Sequence, residues 1–364
     1  KTDLVEEIAR ITGYDRIPSL LPVAPPGRGL TSKQKHRRAV INSLAGSGHV
    51  EVLTYPFVSA TQNQLFSETK IETVKLANPL QGDADEMRVS ILPGLIDAAK
   101  RNLSRGLTDL AIFEEGAVFL PSATVVANAD LPAGDSRPSE ADLAALNATI
   151  PAQPHHVAAI FAGNRQSQQV GIKSVEAGYT DAIHAVRVLA KSIGVSVELR
   201  QASPVGFHPG RTAEVLAIVN GAPEVIGVAG ELDPALTTES DLPRRVAAFE
   251  INLELLYQAA PAVIQAGVLL TMPAATQDLS LVVDQQTPAG DLLAAIREGA
   301  GELLERVVLV DDYRGPNVAE GHKSLTFALR FRAADRTLTQ VEASEARDNA
   351  VKLANQRFGA TLRA

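Results

Sequence analysis

The sequence contains no cysteine and no tryptophan among its 364 residues. Without cysteine the chain can form no disulfide, no thiolate metal site and no cysteine nucleophile, and this composition fits a reducing compartment. Aromatic residues make up only 4% of the chain, which argues against an RNA-binding platform built from many stacked rings. Long hydrophobic runs are also missing, because no apolar stretch approaches the roughly 18 residues that span a bilayer. We therefore predict a soluble globular protein with no membrane segment.

The charge is moderately negative, with 34 Lys and Arg against 42 Asp and Glu and a formal net charge of −8. This balance argues against a surface that is basic throughout, although a local basic stripe remains compatible with nucleic-acid binding. Hydrophobic residues contribute 45% and charged residues 21%, as in an ordinary globular chain. At about 150 residues per domain, the length predicts two or three domains.

A helical pattern begins with the first residues of the sequence. Three apolar residues share one helical face: Leu4, Ile8 and Ile11. Because the sequence starts with Lys1 inside this pattern, we expect a fragment that begins within a domain. Gly13 is expected to end the helix in the left-handed conformation. Prolines between residues 18 and 26 predict an extended linker, and residues 31–44 predict a basic helix whose charged face is more typical of solvent exposure than of RNA contact.

The middle of the sequence mixes short strand patterns with helices, among them helices from Leu95 to about Leu103 and over 179–193. The predicted strands are 50–55, 73–77, a pair within 110–120, 156–163, 195–199, 213–219, 224–230 and 246–251. Residues 121–154 are rich in Ala, Pro, Asp and Ser and lack periodicity. We predict a mobile surface insertion there, without regular structure.

The tail, residues 271–364, has the most regular pattern. Its strand patterns at 278–284, 305–313 and 323–332, its two helices and its closing strand give the order βαββαβ, the split βαβ of ferredoxin-like folds. Thr287 is expected to cap the first helix, and Thr339 with Glu342 to form a capping box for the second. Alternation in strand 323–332 points four residues into the core: Leu325, Phe327, Leu329 and Phe331. It points four others onto the open face: Thr326, Ala328, Arg330 and Arg332.

Three carboxylates near the start, Asp3, Glu6 and Glu7, share one face of the predicted helix. A divalent cation would relieve their repulsion, and ligands that are all oxygen suit Mg²⁺. Acidic residues in a first helical turn are, however, also favoured by the helix dipole alone. The spacing by itself leaves both interpretations open and favours the second.

A second candidate is the loop G-F-H-P-G-R at 206–211, where His208 could act as a base or Arg211 could bind phosphate. We favour a structural interpretation, in which Arg211 pairs with an interior carboxylate. His155 and His156 are interpreted as a solvated pair, because no third metal ligand lies nearby in the sequence. No motif assembles a nucleophile and a base, so the residues alone predict a binding or scaffold module.

Several strings, taken together in their order and spacing, are similar to one known family. They are D-L-V-E-E-I-A-R-I-T-G-Y-D-R-I-P (3–18), N-P-L (78–80), M-R-V-S-I-L-P-G-L (87–95), F-E-E-G-A-V-F (113–119), F-H-P-G-R (207–211), D-L-S-L-V-V (278–283), D-D-Y-R-G (311–315) and K-S-L-T-F-A-L-R-F (323–331). Over essentially its whole length the chain resembles the C-terminal half of bacterial phenylalanine–tRNA ligase beta subunits.

The resemblance implies an α+β multidomain fold in three parts. Residues 1–22 would end a preceding small α/β domain and add a linker. Residues 23–265 would form a class II synthetase catalytic-like module that lacks catalytic residues, with Met87-Arg88 and Phe113-Glu114 echoing its architecture and F-H-P-G-R near the place of a motif-3 arginine. Residues 271–364 would form a ferredoxin-fold anticodon-binding domain.

The resemblance also implies the function of a non-catalytic subunit in a cytoplasmic (αβ)₂ heterotetramer. The partner alpha subunit would bind ATP, make phenylalanyl-adenylate and transfer phenylalanine to tRNA(Phe), and this chain alone would be inactive. Asp3, Glu6 and Glu7 match the carboxylates that bind Mg²⁺ in the family, where a further Asp lies upstream of the position of Lys1.

For the tail, the resemblance implies contact with the anticodon stem-loop of tRNA(Phe). The candidate residues are Arg314 and Lys323 at strand ends and Arg330 and Arg332 on the open face. Within 271–364, 11 Lys and Arg stand against 13 Asp and Glu, so the tail has no net basic signal. Charges that keep a sheet edge soluble are the alternative explanation of these residues.

Two further hypotheses stay open on the sequence. One is a free-standing RNA-binding or regulatory paralogue of a class II synthetase. The other is an enzyme that acts alone, with Mg²⁺ on the N-terminal acids and Arg88 or Arg211 on a nucleotide.

Overall fold

The computed structural model describes residues 1–23, 27–67, 69–80, 82–121, 131–132, 134, 136–267 and 269–363. Its first helix, α1 (Thr2–Thr12), confirms the amphipathic pattern, and a 3₁₀ turn follows at Tyr14–Arg16. No residue of α1 is buried. Gly13 ends the helix with φ 101° and ψ 122°. The expected left-handed cap is therefore wrong, since that conformation has ψ near about +47°. Of the predicted linker, residues 24–26 lie outside the described range.

A seven-stranded sheet organises the middle of the chain. The strands of this region are β1 (Val50–Glu51), β2 (Phe57–Val58), β3 (Glu86–Met87), β4 (Leu110–Ala117), β5 (His155–Ala162), β6 (Asn164–Gln166), β7 (Val175–Glu176), β8 (Glu198–Gln201), β9 (Phe207–Val219), β10 (Ala222–Leu232) and β11 (Val246–Asn252). The sheet has the order β1-β4-β5-β11-β10-β9-β8. β1 runs parallel to β4, and the other neighbours are antiparallel. β2 with β3, and β6 with β7, form two small separate sheets.

Helices cover both faces of this sheet. The helices of the region are α2 (Ser32–Gly46), α3 (Ala60–Gln64), α4 (Leu92–Leu103), α5 (Glu140–Ala148), α6 (Tyr179–Ser192), α7 (Pro234–Glu239) and α8 (Leu253–Gln258). Apolar residues of α2, α6 and α8 pack on one face, and those of α4 and α7 pack on the other. β5 shows the reason, because Val157 and Phe161 contribute to the first core and Ala158 and Ile160 to the second. A strand that is apolar on both sides has to be covered on both sides.

Four strand predictions differ from the structure, and one of them is the strand predicted over 195–199, which is β8 at Glu198–Gln201. The strand predicted over 50–55 narrows to β1, because only its two residues pair with β4. Residues 73–77 hold only a single bridge, from Lys75 to Glu86, in the described chain. The strand pair predicted within 110–120 is the single strand β4. That strand passes through Gly116, where the Arg88 guanidinium occupies the space that a side chain would need.

The insertion predicted over 121–154 contains a helix, α5, so the expectation of no regular structure is wrong there. Ser139 caps α5, and its hydroxyl and the Asp142 carboxylate form a reciprocal capping box. This local signal starts a helix even though the segment lacks a clear apolar face. Residues 122–130, 133 and 135 of the insertion lie outside the described range.

The tail confirms the order βαββαβ. Its elements are β12 (Ala275–Asp284), α9 (Ala289–Ala300), a 3₁₀ turn (Gly301–Leu303), β13 (Leu304–Tyr313), β14 (His322–Phe331), α10 (Gln340–Phe358) and β15 (Thr361–Leu362). The sheet order is β13-β14-β12-β15, and both helices contribute to one core cluster. The four predicted core residues of β14 are at most 1% exposed. The Thr339 capping box is confirmed, whereas α9 begins after Pro288 without a side-chain cap, so the Thr287 prediction is wrong.

The search for membrane-spanning helices covers the described residues only. Among them, no helix has both the length and the apolar character needed to cross a bilayer.

Candidate functional site

Two buried carboxylates lie on the sheet face that α4 covers, one on each of the two strands that flank β5. The register places Glu114 of β4 opposite Ala158 of β5, and Ala158 opposite Glu250 of β11. Glu114 is 2% exposed and Glu250 is 9% exposed. A buried carboxylate needs charged or hydrogen-bonding partners. The partners of these two groups therefore decide what this face can bind.

Glu114 is held by Arg88, the arginine that precedes α4. Arg88 Nη1 donates to Glu114 Oε1 at 2.6 Å, and Arg88 Nε donates to the Ala117 carbonyl at 3.0 Å. The Thr54 hydroxyl donates to Glu114 Oε2 at 2.7 Å. Arg88 is itself only 4% exposed. Breaking a buried ion pair leaves a charge without a partner, which is costly. Arg88 therefore stays buried and bound to Glu114.

Glu250 is likewise bound by internal donors. The Ser90 hydroxyl and the Ile91 N–H donate to its two oxygens, and His156 Nδ1 lies 2.7 Å from Oε1. His156 Nε2 is buried and has no hydrogen-bond partner among the described residues. The expectation that His156 belongs to a solvated pair is therefore wrong, because its ring packs inside and contacts a carboxylate from β11.

A third buried carboxylate, Glu115, joins α2 to the sheet. Arg37 of α2 donates to Glu115 Oε2 at 2.8 Å through Nε, and His155 Nδ1 lies 2.5 Å from Oε1. Burial alone would raise the pKa of Glu115, but the hydrogen bonds from Arg37 and His155 outweigh it and hold that pKa below its usual value. His155 is thus also partnered, which corrects the other half of the predicted solvated pair.

The loop predicted at 206–211 is wrong for residues 207–211, which form the first part of β9, but Arg211 has the structural role favoured from the sequence. Arg211 Nε donates to Glu231 at 2.6 Å, and the Glu231 side chain is 4% exposed. The Nδ1 atom of His208 accepts the Gly210 N–H at 3.0 Å within β9. Arg211 is thus bound to an interior carboxylate rather than free to bind a nucleotide.

The three predicted Mg²⁺ ligands do not come together on α1. The Tyr14 hydroxyl donates to Glu6 at 2.9 Å, and Arg10 pairs with Glu7 at 2.5 Å. Across the described residues, no group of three or more His, Cys, Asp or Glu side chains is arranged to hold a metal ion. Asp3, Glu6 and Glu7 have the oxygen chemistry that Mg²⁺ prefers, but their arrangement does not fit a metal site.

The four predicted tRNA contacts in the tail lie at two places. Arg330 and Arg332 lie near Glu305, and Arg314 and Lys323 lie near Asp312. Arg330 and Arg332 both reach Glu305, at 2.6 and 3.3 Å, and Arg332 also donates to the Leu270 carbonyl. The Arg332 side chain is only 12% exposed. Arg314 forms a two-pronged pair with its neighbour Asp312, which raises the pKa of Arg314 and lowers that of Asp312. These ion pairs balance the positive charge of the three arginines.

Lys323, the fourth candidate, lies near Asp312 and is only 6% exposed. Burial lowers its pKa, and the nearby Asp312 carboxylate acts in the opposite direction. Lys323 is the second residue of β14. Its side chain lies on the core side of the sheet rather than on the open face. The structure therefore offers less of Lys323 to a ligand than its place at a strand end suggested.

The sequence reasoning missed two residues of the open face, Tyr313 and Arg363. The register places Tyr313 opposite Ser324, on the side away from Leu325. The guanidinium carbon of Arg363 lies 4.7 Å from the centre of the Tyr313 ring. The alternation of β13 could have placed Tyr313 on this face, but its partner comes from the far end of the tail.

A mainly antiparallel sheet with helices on both faces, followed by a ferredoxin-like domain with helices on one face, defines an α+β multidomain chain. The family model described as "Phenylalanyl tRNA synthetase beta chain CLM domain" matches residues 17–253, and the "Ferredoxin-fold anticodon binding domain" matches residues 271–363. The chain belongs to the phenylalanyl-tRNA synthetase beta chain family, which confirms the fold class and the resemblance.

Curated relatives agree with this membership. The chain is 54% identical to a phenylalanine–tRNA ligase beta subunit of Leifsonia xyli over 100% of its own length and 43% of the relative. It is 46% identical to the corresponding subunit of Streptomyces avermitilis, over 99% of its length and 44% of that relative. The chain thus spans less than half the length of these relatives. A pyrrolysyl tRNA synthetase structure from Desulfitobacterium hafniense aligns with 70% of the chain and 71% of its own length at 12% identity and a TM-score of 0.40, a similarity too low to bear on function.

Proposed function

We propose that this chain is part of a non-catalytic beta subunit of phenylalanine–tRNA ligase. It supports a catalytic alpha subunit and contributes to binding tRNA(Phe) for the ATP-dependent attachment of phenylalanine. The observation that carries the proposal is the closed sheet face, where Arg88 is bound to Glu114 inside a synthetase-like fold. Catalysis of adenylate formation needs cations that can move onto phosphate oxygens, and this arginine is already neutralised.

The same observation weighs against an enzyme that acts alone. That hypothesis required Arg88 or Arg211 on a nucleotide, and each donates to a carboxylate that is at most 4% exposed. The free-standing paralogue is not favoured either, because the relatives that span the chain are named as beta subunits. ATP is therefore assigned to the partner subunit.

An exposed apolar patch beside β1 supports a protein partner for the central module. Leu53 is 84% exposed, Tyr55 is 81% exposed and Leu80 is 98% exposed. They line a cavity of about 620 Å³ together with Phe57. Contiguous exposed apolar surface of this kind marks interaction sites. It fits the expected (αβ)₂ heterotetramer with the alpha subunit.

The open face of the tail sheet is the part proposed to meet tRNA(Phe). Arg330 and Arg314 are half exposed, so their ion pairs with Glu305 and Asp312 can exchange for RNA phosphates. Arg332 completes the proposed set from a more buried position, and Lys323 does so from the core side of β14 near the end of the strand. Unpaired anticodon bases would be read by stacking and by hydrogen bonds to their edges.

Mg²⁺ at Asp3, Glu6 and Glu7 is implied only by the family resemblance and stays a prediction, although these carboxylates do not converge in the described chain. Its test is an isothermal titration of Mg²⁺ into the full-length beta subunit and into its Asp3→Ala, Glu6→Ala variant. Loss of one binding site in the variant would support the assignment, and an unchanged stoichiometry would refute it.

The function is tested by amino-acid-dependent pyrophosphate exchange and by tRNA charging. We expect no exchange from this chain alone, restored exchange with the alpha subunit, and co-purification of the two. Exchange by the chain alone would overturn the assignment. The expected location, the cytoplasm, follows from the same role and would be checked by fractionation.

A further inference from the structure

Two of the helices that cover one face of the central sheet, α2 and α6, lie against each other and share one core. α2 buries Val40 and Leu44 in that core, and α6 buries Val186 and Leu189. Because an α-helix has 3.6 residues per turn, the positions halfway around each helix from these residues face away from the sheet. The two helices together therefore present one outer surface to solvent.

Four cations occupy these outward positions. They are Lys35 and Arg38 on α2 and Arg187 and Lys191 on α6, and all four are exposed. On each helix the two cations are three or four residues apart, so they share one side of that helix. We call these four residues the outer basic face. The sequence of α2 alone is typical of a solvated helix, but the structure adds a second row of cations beside it.

The two helices hold almost no negative charge that could balance this face. α2 contains no Asp or Glu at all, and α6 contains only Asp181. The Asp181 carboxylate accepts the Gly178 N–H at 2.9 Å and lies 3.5 Å from Arg165, so it is already engaged at the start of its helix. Within the described parts of the chain, none of the four cations of the outer basic face pairs with a carboxylate.

The other cations of α2 behave differently. Lys33 pairs with Glu254 at 2.5 Å, and Arg37 pairs with the buried Glu115 at 2.5 Å, which fastens α2 to α8 and to the sheet. The cations that hold the fold are thus paired, whereas those of the outer basic face repel one another without compensation. A ligand with several negative charges would relieve that repulsion.

We propose that the outer basic face binds the phosphate backbone of tRNA, as a second RNA contact separate from the tail sheet. The inference rests on the proposed function, which supplies tRNA as the polyanion that the assembly handles. The occupant is argued from charge complementarity, because Lys and Arg side chains neutralise the regularly spaced phosphates of nucleic acids. Such contacts position the RNA and read no bases.

The outer basic face also differs from the tail in what binding costs. Arg330 has to exchange Glu305 for a phosphate, whereas no internal ion pair has to open on α2 or α6. Unpaired cations on a chain with a net charge of −8 concentrate positive potential at one place and attract RNA from a distance. The outer basic face is therefore suited to capture the tRNA, and the tail to recognise it.

The experiment measures binding of fluorescein-labelled tRNA(Phe) over a salt series to the full-length beta subunit assembled with its alpha subunit. Arg187→Gln with Lys191→Gln should lower the salt slope by about 2, and adding Lys35→Gln and Arg38→Gln should lower it by about 4 in all. A noncognate tRNA should lose affinity by the same factor, because phosphate contacts do not distinguish sequences. Arg38→Lys with Arg187→Lys keeps the charge and should keep the slope.

The matched control is Arg297→Gln with Lys352→Gln. It also removes two exposed helical cations that have no carboxylate partner in the described chain, but these lie on α9 and α10 of the tail, and the slope should stay unchanged. A thermal melt and co-purification with the alpha subunit check that each variant folds and assembles.

An unchanged salt slope in the four-residue variant would overturn the inference. Loss of the alpha subunit from that variant would overturn it in favour of an acidic protein surface. Loss of sedimentation with phosphatidylserine vesicles, with tRNA affinity kept, would overturn it in favour of a membrane. If Arg330→Ala with Arg332→Ala weakens tRNA binding and the four-residue variant does not, only this inference fails. If the wild-type chain neither joins the alpha subunit nor supports tRNA charging, the proposed function fails.

Discussion

The central sheet and the tail sheet differ in how far their ion-paired residues are exposed to solvent. In the central sheet, both faces are covered by helices, and the carboxylates Glu114 and Glu250 are closed off by internal donors. In the tail, both helices share one core, and the other sheet face keeps half-exposed ion pairs such as Arg330 with Glu305.

The difference separates two uses of an ion pair. A buried pair such as Arg88 with Glu114 fixes geometry and cannot be given up without a large desolvation penalty. An exposed pair contributes little to stability and can exchange partners at little cost. Under the proposed function, the central module would act as a support and the tail would provide the surface that exchanges partners.

The comparison is tested most strongly at the buried pair. Arg88→Ala should lower the free energy of unfolding of the central module by about 3–5 kcal/mol, because Glu114 remains buried without its cation. Urea unfolding with a probe in each region would measure it. The double variant Arg88→Met, Glu114→Leu should recover much of the loss. An Arg88→Ala variant of normal stability would show that the pair does not hold this face closed.

A smaller effect is expected at the exposed pairs. Arg330→Ala with Arg332→Ala should raise the KM for tRNA about ten-fold and lower the salt slope of binding by about 1–2, because phosphate contacts are lost. Adenylate formation by the alpha subunit should stay unchanged. Aminoacylation kinetics over a salt series would check this. Unchanged tRNA kinetics would remove both residues from the proposed interface.

The two regions can also be compared at their helix starts. Thr31 caps α2 and Thr339 caps α10, each through a complete capping box. Replacing either by alanine should cost about 1 kcal/mol in the region that contains it. Thr31→Ser and Thr339→Ser are the controls, since serine keeps the capping oxygen. A loss seen equally in both regions for one variant would mean that they unfold as a single unit.

The weakest expected signal is a pH dependence from Glu115. Its pKa in the folded chain lies below the ordinary value of 4.5, so its stabilising contribution is present above pH 4.5 and is lost as the pH falls through the folded pKa. Glu115→Gln should therefore unfold with a flatter pH dependence below about pH 4.5 than wild type. Parallel curves for the two proteins would show that Glu115 does not contribute.

Local patterns allowed the tail to be predicted well. Its strands alternate clearly, and the Thr339–Glu342 capping box is visible within four residues of sequence. The core positions of β14 follow from the same alternation, since the helices cover only one face of this sheet. Where the order of elements decides the packing, the sequence is sufficient.

The partners of charged side chains could not be predicted in the same way. His155 and His156 look solvated beside a proline-rich stretch, but β5 lies between β4 and β11, which bring Glu115 and Glu250 to them from 40 and 94 residues away. The arginines of the tail likewise acquire Glu305 only when β13 and β14 pair. Spacing along the chain carries no information about contacts made across a sheet.

The commitment of Arg88 to Glu114 has a consequence for inhibitors of such a ligase. A compound that imitates the adenylate intermediate needs cations that are free to bind its phosphate, and Arg88 is already bound to a buried carboxylate. Under the proposed (αβ)₂ assembly, a titration with such a compound would saturate at two equivalents per tetramer, although four synthetase-shaped lobes are present.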